Sequence, residues 1–551
     1  MSISDVTFVN SGAGQTGPLA WFYGTSEKIR RHLAGQVVAH DAETAPGGAV
    51  MITPTTNGGD IEGYITAQAA GTVFWWEPGT TFRLRSLGFE HDDIGVICKT
   101  GDQHRTNPAN PAVLSGAELL TTWTSDSGLY RHAWTPAAVT AGLSASTTYC
   151  ASGSECTAPD VVIFNGTPLR RVASQAAVVA GTFFIDYTGD RIWIADNPTS
   201  QTVEISTIRH AFVGASSTGG TAGNNVVIRG FEVKHFASRG QYGAIDPFDQ
   251  GTGWQTSCNY IHHCHGAGLG VRGGMVSEWD RMEYNGQLGY KLIGDDCTVR
   301  YARVVGNKLH GISSGWKIGW EGGACKIARA ANPVLEYGYY ASNTGPSIWL
   351  DVAVEAGQVR YNVCRLDEWG GSILIEGSYT TEVHHNLLVR GGLLDQRGDG
   401  ASGWPWGAGL TSSTSPRTNF HHNVVVKCRH GVGLIEQDRG TTGILIEYRR
   451  NATTRALQTQ ATANGEPLQI TGNTVDDNLV VLIATDFGTG SGTQTERCGT
   501  VRDGVEPGAT TDQMTGGALW RRNKFYCDTA ATLFKHAGTG YQTGATWQST
   551  Y

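Results

Sequence analysis

Between about residues 225 and 440, short apolar runs alternate with polar turns, and the alternation repeats at a steady spacing. One set of runs is led by asparagine: Asn259-Tyr260-Ile261, Asn362-Val363, Asn386-Leu387-Leu388-Val389 and Asn423-Val424-Val425-Val426. Another is led by glycine: Gly266 to Leu269, Gly311-Ile312, Gly345 to Leu350, Gly370 to Ile375, Gly407 to Leu410 and Gly431 to Leu434. Asn362 and Asn386 are 24 residues apart, and Ile348 and Ile373 are 25 apart. Runs this short, rich in Val, Ile, Thr and Tyr, read as strands rather than helices. A period of this length predicts one turn of a solenoid, in which no coil buries its apolar side alone and stacking makes a continuous core.

With Asn and Gly at the turns, the pattern resembles the right-handed parallel β-helix, an all-β fold with two or three short strands per coil. Repeated Asn side chains would satisfy turn backbone groups while stacking on one another. On this reading the chain divides into an N-terminal segment (1–60), entry coils (61–117), a small inserted antiparallel β-subdomain (118–210), the main helix (211–440), an irregular Thr/Gly-rich excursion (441–520) and a late coil (521–551). Hairpin signals support the insertion: Asn165-Gly166 and Gly189-Asp190 separate apolar runs such as Val161 to Phe164, Phe183 to Tyr187 and Ile192 to Ala195. Asn473-Thr474-Val475 and Asn523-Lys524-Phe525 resume the coil pattern near the end, where no cap is evident and the natural chain could continue. Asn386 to Asn423 is 37 residues, about half a coil too long, and the excess falls in 391–406. Excursions from one face of a solenoid often line the binding face.

The composition narrows the function. The 551 residues include 75 glycines, only 16% are charged, and the formal charge is −8. A nucleic-acid partner usually needs a basic face, so a neutral or mildly charged ligand fits better. No run of 18 apolar residues is long enough to insert in a membrane. The N-terminus has no secretory pattern, so the protein is expected either to have lost a leader or to reach the outside as part of a virion. Of the eleven cysteines, Cys150 and Cys156 flank a polar loop and could bridge, while Cys258, Cys264, Cys297, Cys325, Cys364 and Cys428 read as small buried side chains.

Two acids share one phase of the repeat. Asp351 in Ile348-Trp349-Leu350-Asp351 and Glu376 in Ile373-Leu374-Ile375-Glu376 are 25 residues apart. On stacked parallel strands their backbones would lie roughly 4.8 Å apart. Carboxylates that close repel, which raises the pKa of one of them. A separation of about 5 Å is that of a retaining glycosidase, with one acid attacking the anomeric carbon and the other protonating the leaving oxygen. The plain alternative is that both acids splay into solvent or pair with Lys326 or Arg329.

The Ile-Trp-Leu-Asp element, one coil before an apolar-Glu, is similar to the β-helical β-xylosidase family. The resemblance implies Asp351 as nucleophile and Glu376 as acid/base. The preceding coil, Gly322-Gly323-Ala324-Cys325-Lys326, looks like the Gly-Gly-x-x-Lys coil of bacterial β-helix relatives, and the small β-subdomain fits the same group. The substrate class expected is a cell-surface glycan or polysaccharide.

Around the acids, Trp316, Trp320, Trp349, Trp404 and Trp406 are candidate platforms for sugar rings. Lys326 and Arg329 could meet a substrate charge or tune the acids, and Asp395 and Arg397 in the long loop suit a carbohydrate. No cofactor or metal is expected. In Ile261-His262-His263-Cys264-His265, strand alternation would put His263 and His265 on one face and His262 and Cys264 on the other, which converges too few ligands for a metal. His384-His385 and His421-His422 read as a stacked turn ladder. Two other readings are open. A polysaccharide lyase could use Lys326 as base, but no dense acidic cluster for Ca²⁺ is visible. A non-catalytic adhesion rod is the other: the opening Phe8 to Gly17 is similar to minor tail proteins of phages, and tail partners or homo-oligomers would then follow.

Overall fold

The computed structural model describes residues 44–83, 86–98, 110–135, 158–214, 222–248, 251–307, 322–393, 406–435, 470, 472–482 and 518–525, and the backbone alone of 448–450, 457–459, 497–502, 526–527 and 534–535. Short strands wind through three parallel sheets, which hold thirteen, twelve and twelve strands among the described residues. A typical coil runs through Gln255–Ser257 in the first sheet, Tyr260–His262 in the second and Ala267–Val271 in the third. Each strand pairs in register with its counterpart one coil later, as Ile261 does with Met282 and Leu269 with Tyr290. Alternation then sends every second side chain inward. Leu292, Ile327, Leu350 and Ile375 form one continuous inner column, and all four are buried.

The corners between sheets are held by side-chain amides. Between the first and second sheets, the backbone N–H of Asn362 donates to Asn386 Oδ1, that of Asn386 to Asn423, of Asn423 to Asn478 and of Asn478 to Asn523, at 3.0–3.1 Å. Each Nδ2 donates onward to the next Oδ1 and back to a strand carbonyl such as Leu335 O or Val359 O. A second ladder, between the second and third sheets, runs Asn285, Asn307, Asn343, Asp367. These are buried groups, and each rung satisfies donors and acceptors that water cannot reach.

Asp367 occupies a rung that its neighbours fill with Asn. Asn343 and Ser347 donate to it, yet burial pushes its carboxyl up to about 7 from an ordinary 3.8. Asp280 in the other ladder is likewise pushed by burial, to about 6. Between these ordinary and raised values the folded chain binds a proton that the unfolded chain has released, so stability falls as pH rises through the window. Asp367→Asn keeps the acceptor for Asn343 and removes the titration. The variant is expected to melt above the wild type at about pH 8, the gap closing below about pH 4, as a series of melting curves would show. A gap independent of pH would contradict the assignment.

The helix begins earlier than the sequence reading placed it, and it continues through the interval read as an excursion. Val50–Ile52 already pairs with Val73–Trp76, so the first coil precedes residue 61. Ile61 and Ile65, on the short helix Ile61–Thr66, join the core of the entry coils with Phe74, Trp76 and Leu87. Toward the C-terminus, Asn473–Asp476, Leu479–Leu482 and Arg497–Arg502 stack on the first, second and third sheets. The interval 441–520, read as an irregular excursion in which Asn473-Thr474-Val475 resumes the coil pattern, therefore contains a full coil, completed by Leu479–Leu482 and Arg497–Arg502. Between Ala117 and Ser206 lie two small, mainly antiparallel sheets with a separate core of Val162, Phe183, Ile185, Ile192, Ile194 and Ile205.

The histidine cluster also differs from strict alternation. His263 takes a left-handed turn (φ 53°), which ends the strand at His262. Cys264 then enters the core, while His262 stays outside, its Nδ1 2.6 Å from His263 Nδ1. Among the described residues no group of three or more His, Cys, Asp or Glu side chains is arranged to hold a metal ion. Cys98, Cys258, Cys264, Cys297, Cys325, Cys364 and Cys428 are free and buried; Cys150 and Cys156 lie outside the described residues.

Candidate active site

The third sheet carries the longest strands, up to six residues, so a strand of four to six presents two or three side chains outward as well as two or three inward. Seven consecutive strands matter here: β1 (Gly243–Asp246), β2 (Ala267–Val271), β3 (Leu288–Ile293), β4 (Gly323–Ala328), β5 (Ile348–Asp351), β6 (Ile373–Glu376) and β7 (Ala408–Ser413). Inward-facing Ile348 and Leu350 anchor β5, as Ile373 and Ile375 anchor β6. That anchoring forces Trp349 and Asp351, with Leu374 and Glu376, onto the outer face.

The register places Asp351 directly beside Glu376 and Trp349 beside Lys326. Asp351 is 8% exposed and Glu376 is half-buried. Lys326 Nζ lies 2.8 Å from Asp351 Oδ2, and its side chain is only 5% exposed. The same ammonium sits 4.3 Å from the centre of the Trp349 ring. The indole Nε1–H donates to Glu376 Oε2 at 3.1 Å. One lysine and one tryptophan thus tie the two acids into a single network. At an effective dielectric near 20, two carboxylates about 5 Å apart repel by about 3 kcal/mol, and an ammonium about 3 Å from one of them returns roughly 5 kcal/mol. The ion pair offsets the cost of bringing the acids together.

The structure brings together Asp351, Glu376, Lys326 and Trp349 of the residues singled out from sequence. The Lys326 ion pair with Asp351 is present. Trp349 is neither core nor an open platform: it faces outward, but Lys326 covers its ring and it is 5% exposed. Its role as a donor to Glu376 was not read from the sequence, because strand alternation alone does not say where an indole N–H will point. Arg329 is exposed, in a left-handed turn (φ 51°) just past β4. Trp406 is half-buried, two residues before β7. Trp316, Trp320, Asp395, Arg397 and Trp404 lie outside the described residues.

The paired histidines end strands of the first sheet and belong to its corner, not to the acid pair on the third sheet. His384 stacks on His421 at 4.7 Å and His385 on His422 at 5.1 Å, with ring planes 12° and 3° apart. Burial, with the charges of neighbouring histidines, holds His384 and His385 down at about 4. They extend a column of stacked turn residues that includes Trp279, Tyr301, Tyr337 and Tyr361.

No protein-family model matches the sequence, and no curated protein matches it. Among solved structures, the chain is similar to XylC, described in complex with xylose, with a TM-score of 0.55 and 12% identity over 84% of this chain and 82% of that one. It also matches the A-module of the Azotobacter vinelandii mannuronan C-5 epimerase AlgE6, with a TM-score of 0.34 and 11% identity over 92% and 99% of the two chains. The tailspike gp61 of Pseudomonas phage phi297 matches with a TM-score of 0.31 and 10% identity over 84% and 67%. With the three stacked parallel sheets described above, the likeness to XylC shows the fold: the chain is a right-handed parallel β-helix carrying small antiparallel sheets.

Proposed function

We propose that the protein is a glycan-active enzyme that hydrolyses a glycosidic bond with retention, using Asp351 as nucleophile and Glu376 as acid/base. The observation that carries this reading is the in-register juxtaposition of the two acids on the outer face of the third sheet, with a lysine paired to one of them. In the first step an Asp351 oxygen bonds to the anomeric carbon as the bond to the leaving oxygen breaks, and that oxygen takes the proton of Glu376. In the second, Glu376 removes a proton from water, which attacks the anomeric carbon and releases Asp351. Lys326 holds Asp351 in place through the ion pair, and Trp349 holds Glu376 through the indole N–H. XylC, which shares the fold, is described with bound xylose, in keeping with a sugar ligand here.

The same reading puts the protein where glycans are, outside a cell or on a virion, with a polysaccharide as its partner. A lyase with Lys326 as base is less favoured, because the ammonium lies 2.8 Å from a carboxylate. The readings separate on a panel of polysaccharides. Hydrolysis releases saturated reducing ends, a lyase releases unsaturated products absorbing in the near ultraviolet, and an adhesin binds without releasing either. Release of unsaturated ends, or binding alone, would overturn the proposal.

Trp349→Phe keeps a ring beneath Lys326 and deletes the N–H to Glu376. A hydrogen bond to a charged group is worth about 1.5–3 kcal/mol, so kcat is expected to fall roughly 10- to 100-fold with KM little changed. An unchanged kcat would show that the indole does not position the acid.

A further inference from the structure

The outward column of the third sheet that holds Lys326 and Trp349 continues through Leu374 and Thr411 to Gly433, on the next strand, β8 (His430–Ile435). Alternation fixes the direction of Thr411. Leu410, beside it on β7, and Val432 and Leu434, beside Gly433 on β8, belong to the inner core, so Thr411 and Gly433 face outward. In the neighbouring outward column the order is Asp351, Glu376, Ser413. Thr411 therefore lies one strand past Glu376 and two residues along it. From the spacing of strands and of residues within a strand, the two backbones are roughly 8 Å apart, so their side chains can flank one sugar unit. Gly433, on the far side of Thr411, contributes no side chain to the face.

Thr411 is fully buried, and among the described residues its Oγ1 has no hydrogen-bond partner. A buried polar atom left unpaired is costly, and valine has nearly the same shape without the hydroxyl. Other buried hydroxyls of the chain are met from within. Thr256 Oγ1 donates to Asp280 Oδ2 at 2.6 Å, and Thr182 Oγ1 donates to Val179 O at 2.7 Å. Ser412, next to Thr411 but facing inward, donates to Ser415 O at 3.4 Å. Thr411 thus carries a hydroxyl that the fold does not use, on the face that carries the acid pair. Asp351 is shielded to a similar degree, so a sugar that reaches the acids uncovers this part of the face as well.

We propose that Thr411 binds the leaving-group side of the glycan: its hydroxyl hydrogen-bonds a hydroxyl of the sugar unit that departs when Glu376 protonates the glycosidic oxygen. This rests on the assignment of Asp351 and Glu376 above. The strand of Glu376 lies between those of Asp351 and Thr411, so the sugar beyond Glu376 is the one on the far side from the nucleophile. A hydroxyl both donates and accepts, which matches a sugar hydroxyl, and it asks for no charge on the ligand. A site built around such a bond rejects a leaving group that lacks the hydroxyl, because the threonine is then left unpaired.

The test compares the full chain with Thr411→Val and Thr411→Ser on the β-linked trisaccharides of xylose, glucose, galactose and mannose, and on the nitrophenyl β-glycoside of each sugar. The nitrophenyl group leaves without offering Thr411 a hydroxyl. On the sugar that is cleaved, Thr411→Val is expected to lower kcat/KM for the trisaccharide about tenfold or more, and for the nitrophenyl glycoside less than about twofold. Thr411→Ser should keep the trisaccharide rate within about threefold of the wild type. Thr411→Val should melt no lower than the wild type, since it removes an unpaired hydroxyl and no internal bond. Equal losses on both substrates, no loss on either, or a lower melting temperature overturns the proposal. If the wild type cleaves none of these sugars, the hydrolase reading falls separately, and calorimetric titration with the trisaccharides decides the subsite. Binding weakened about tenfold or more by Thr411→Val then supports a sugar contact at Thr411, whereas unchanged binding, or none in the wild type, overturns it.

Discussion

Asp351→Asn and Glu376→Gln are each expected to lower kcat/KM on the glycan substrate by at least about a thousandfold, or about 4 kcal/mol of transition-state stabilisation, while the chain still folds. The two losses have different causes. Asparagine at 351 cannot form the bond to the anomeric carbon, so the first step fails whatever the leaving group. Glutamine at 376 cannot protonate the leaving oxygen, so its loss should be largest for poor leaving groups and much smaller for an activated aryl glycoside. Both side chains sit on strands anchored by buried isoleucines and a leucine, and both substitutions keep the shape, so neither should disturb the coil. Asp351→Asn also leaves Lys326, 5% exposed, without its carboxylate, which adds a modest drop in melting temperature that Glu376→Gln should not share. Full activity in either variant would remove that residue from the mechanism.

Asn386→Ala is expected to cost about 4 kcal/mol, far more than a surface substitution. The side chain is 1% exposed and makes five hydrogen bonds. Its Oδ1 accepts from the backbone and side-chain amides of Asn362, and its Nδ2 donates to Val359 O, His384 O and Asn423 Oδ1. Alanine removes all five; Asn423 Oδ1 keeps the backbone N–H of residue 386, but the Asn362 amides and Val359 O lose a buried partner, and each orphan costs about 1–3 kcal/mol before any relaxation. Because neighbouring coils support one another, the damage should be local first. Amide exchange is expected to accelerate around 359–362, 386 and 423 at concentrations of denaturant where the entry coils stay protected. His385→Ala, one residue away on the turn exterior, is the control and should change little. A cost under about 1 kcal/mol for Asn386→Ala would mean that the ladder is ornamental to stability.

The ladder and the acid pair were legible for the same reason: a solenoid writes its three-dimensional neighbours at a fixed interval in the chain. Asn362, Asn386 and Asn423 announce a corner because the chemistry of each rung is alike, and Asp351 and Glu376 announce a pair because the register of β5 and β6 carries no insertion. Legibility failed where the interval or the residue type broke. Asp280 and Asp367 are rungs of the same ladders, but an acid in an asparagine position does not look like part of the repeat. In the coil containing Asn473–Asp476 and Arg497–Arg502 the spacing departs from the period, so only its Asn473-Thr474-Val475 strand was legible. Trp349 was placed on a strand correctly, whereas its bond to Glu376 depends on a rotamer that the pattern does not encode.

The most direct test of the account is intact-mass and peptide mass spectrometry of the chain after incubation with a 2-deoxy-2-fluoro glycoside of whichever sugar the polysaccharide panel identifies. The fluorine slows release of a covalent glycosyl-enzyme, so a retaining enzyme gains one sugar mass. The expected result is a single addition on the peptide containing Asp351, absent in Asp351→Asn. Turnover of the parent glycan with no such addition, or an addition at another residue, would contradict the assignment of Asp351 and Glu376.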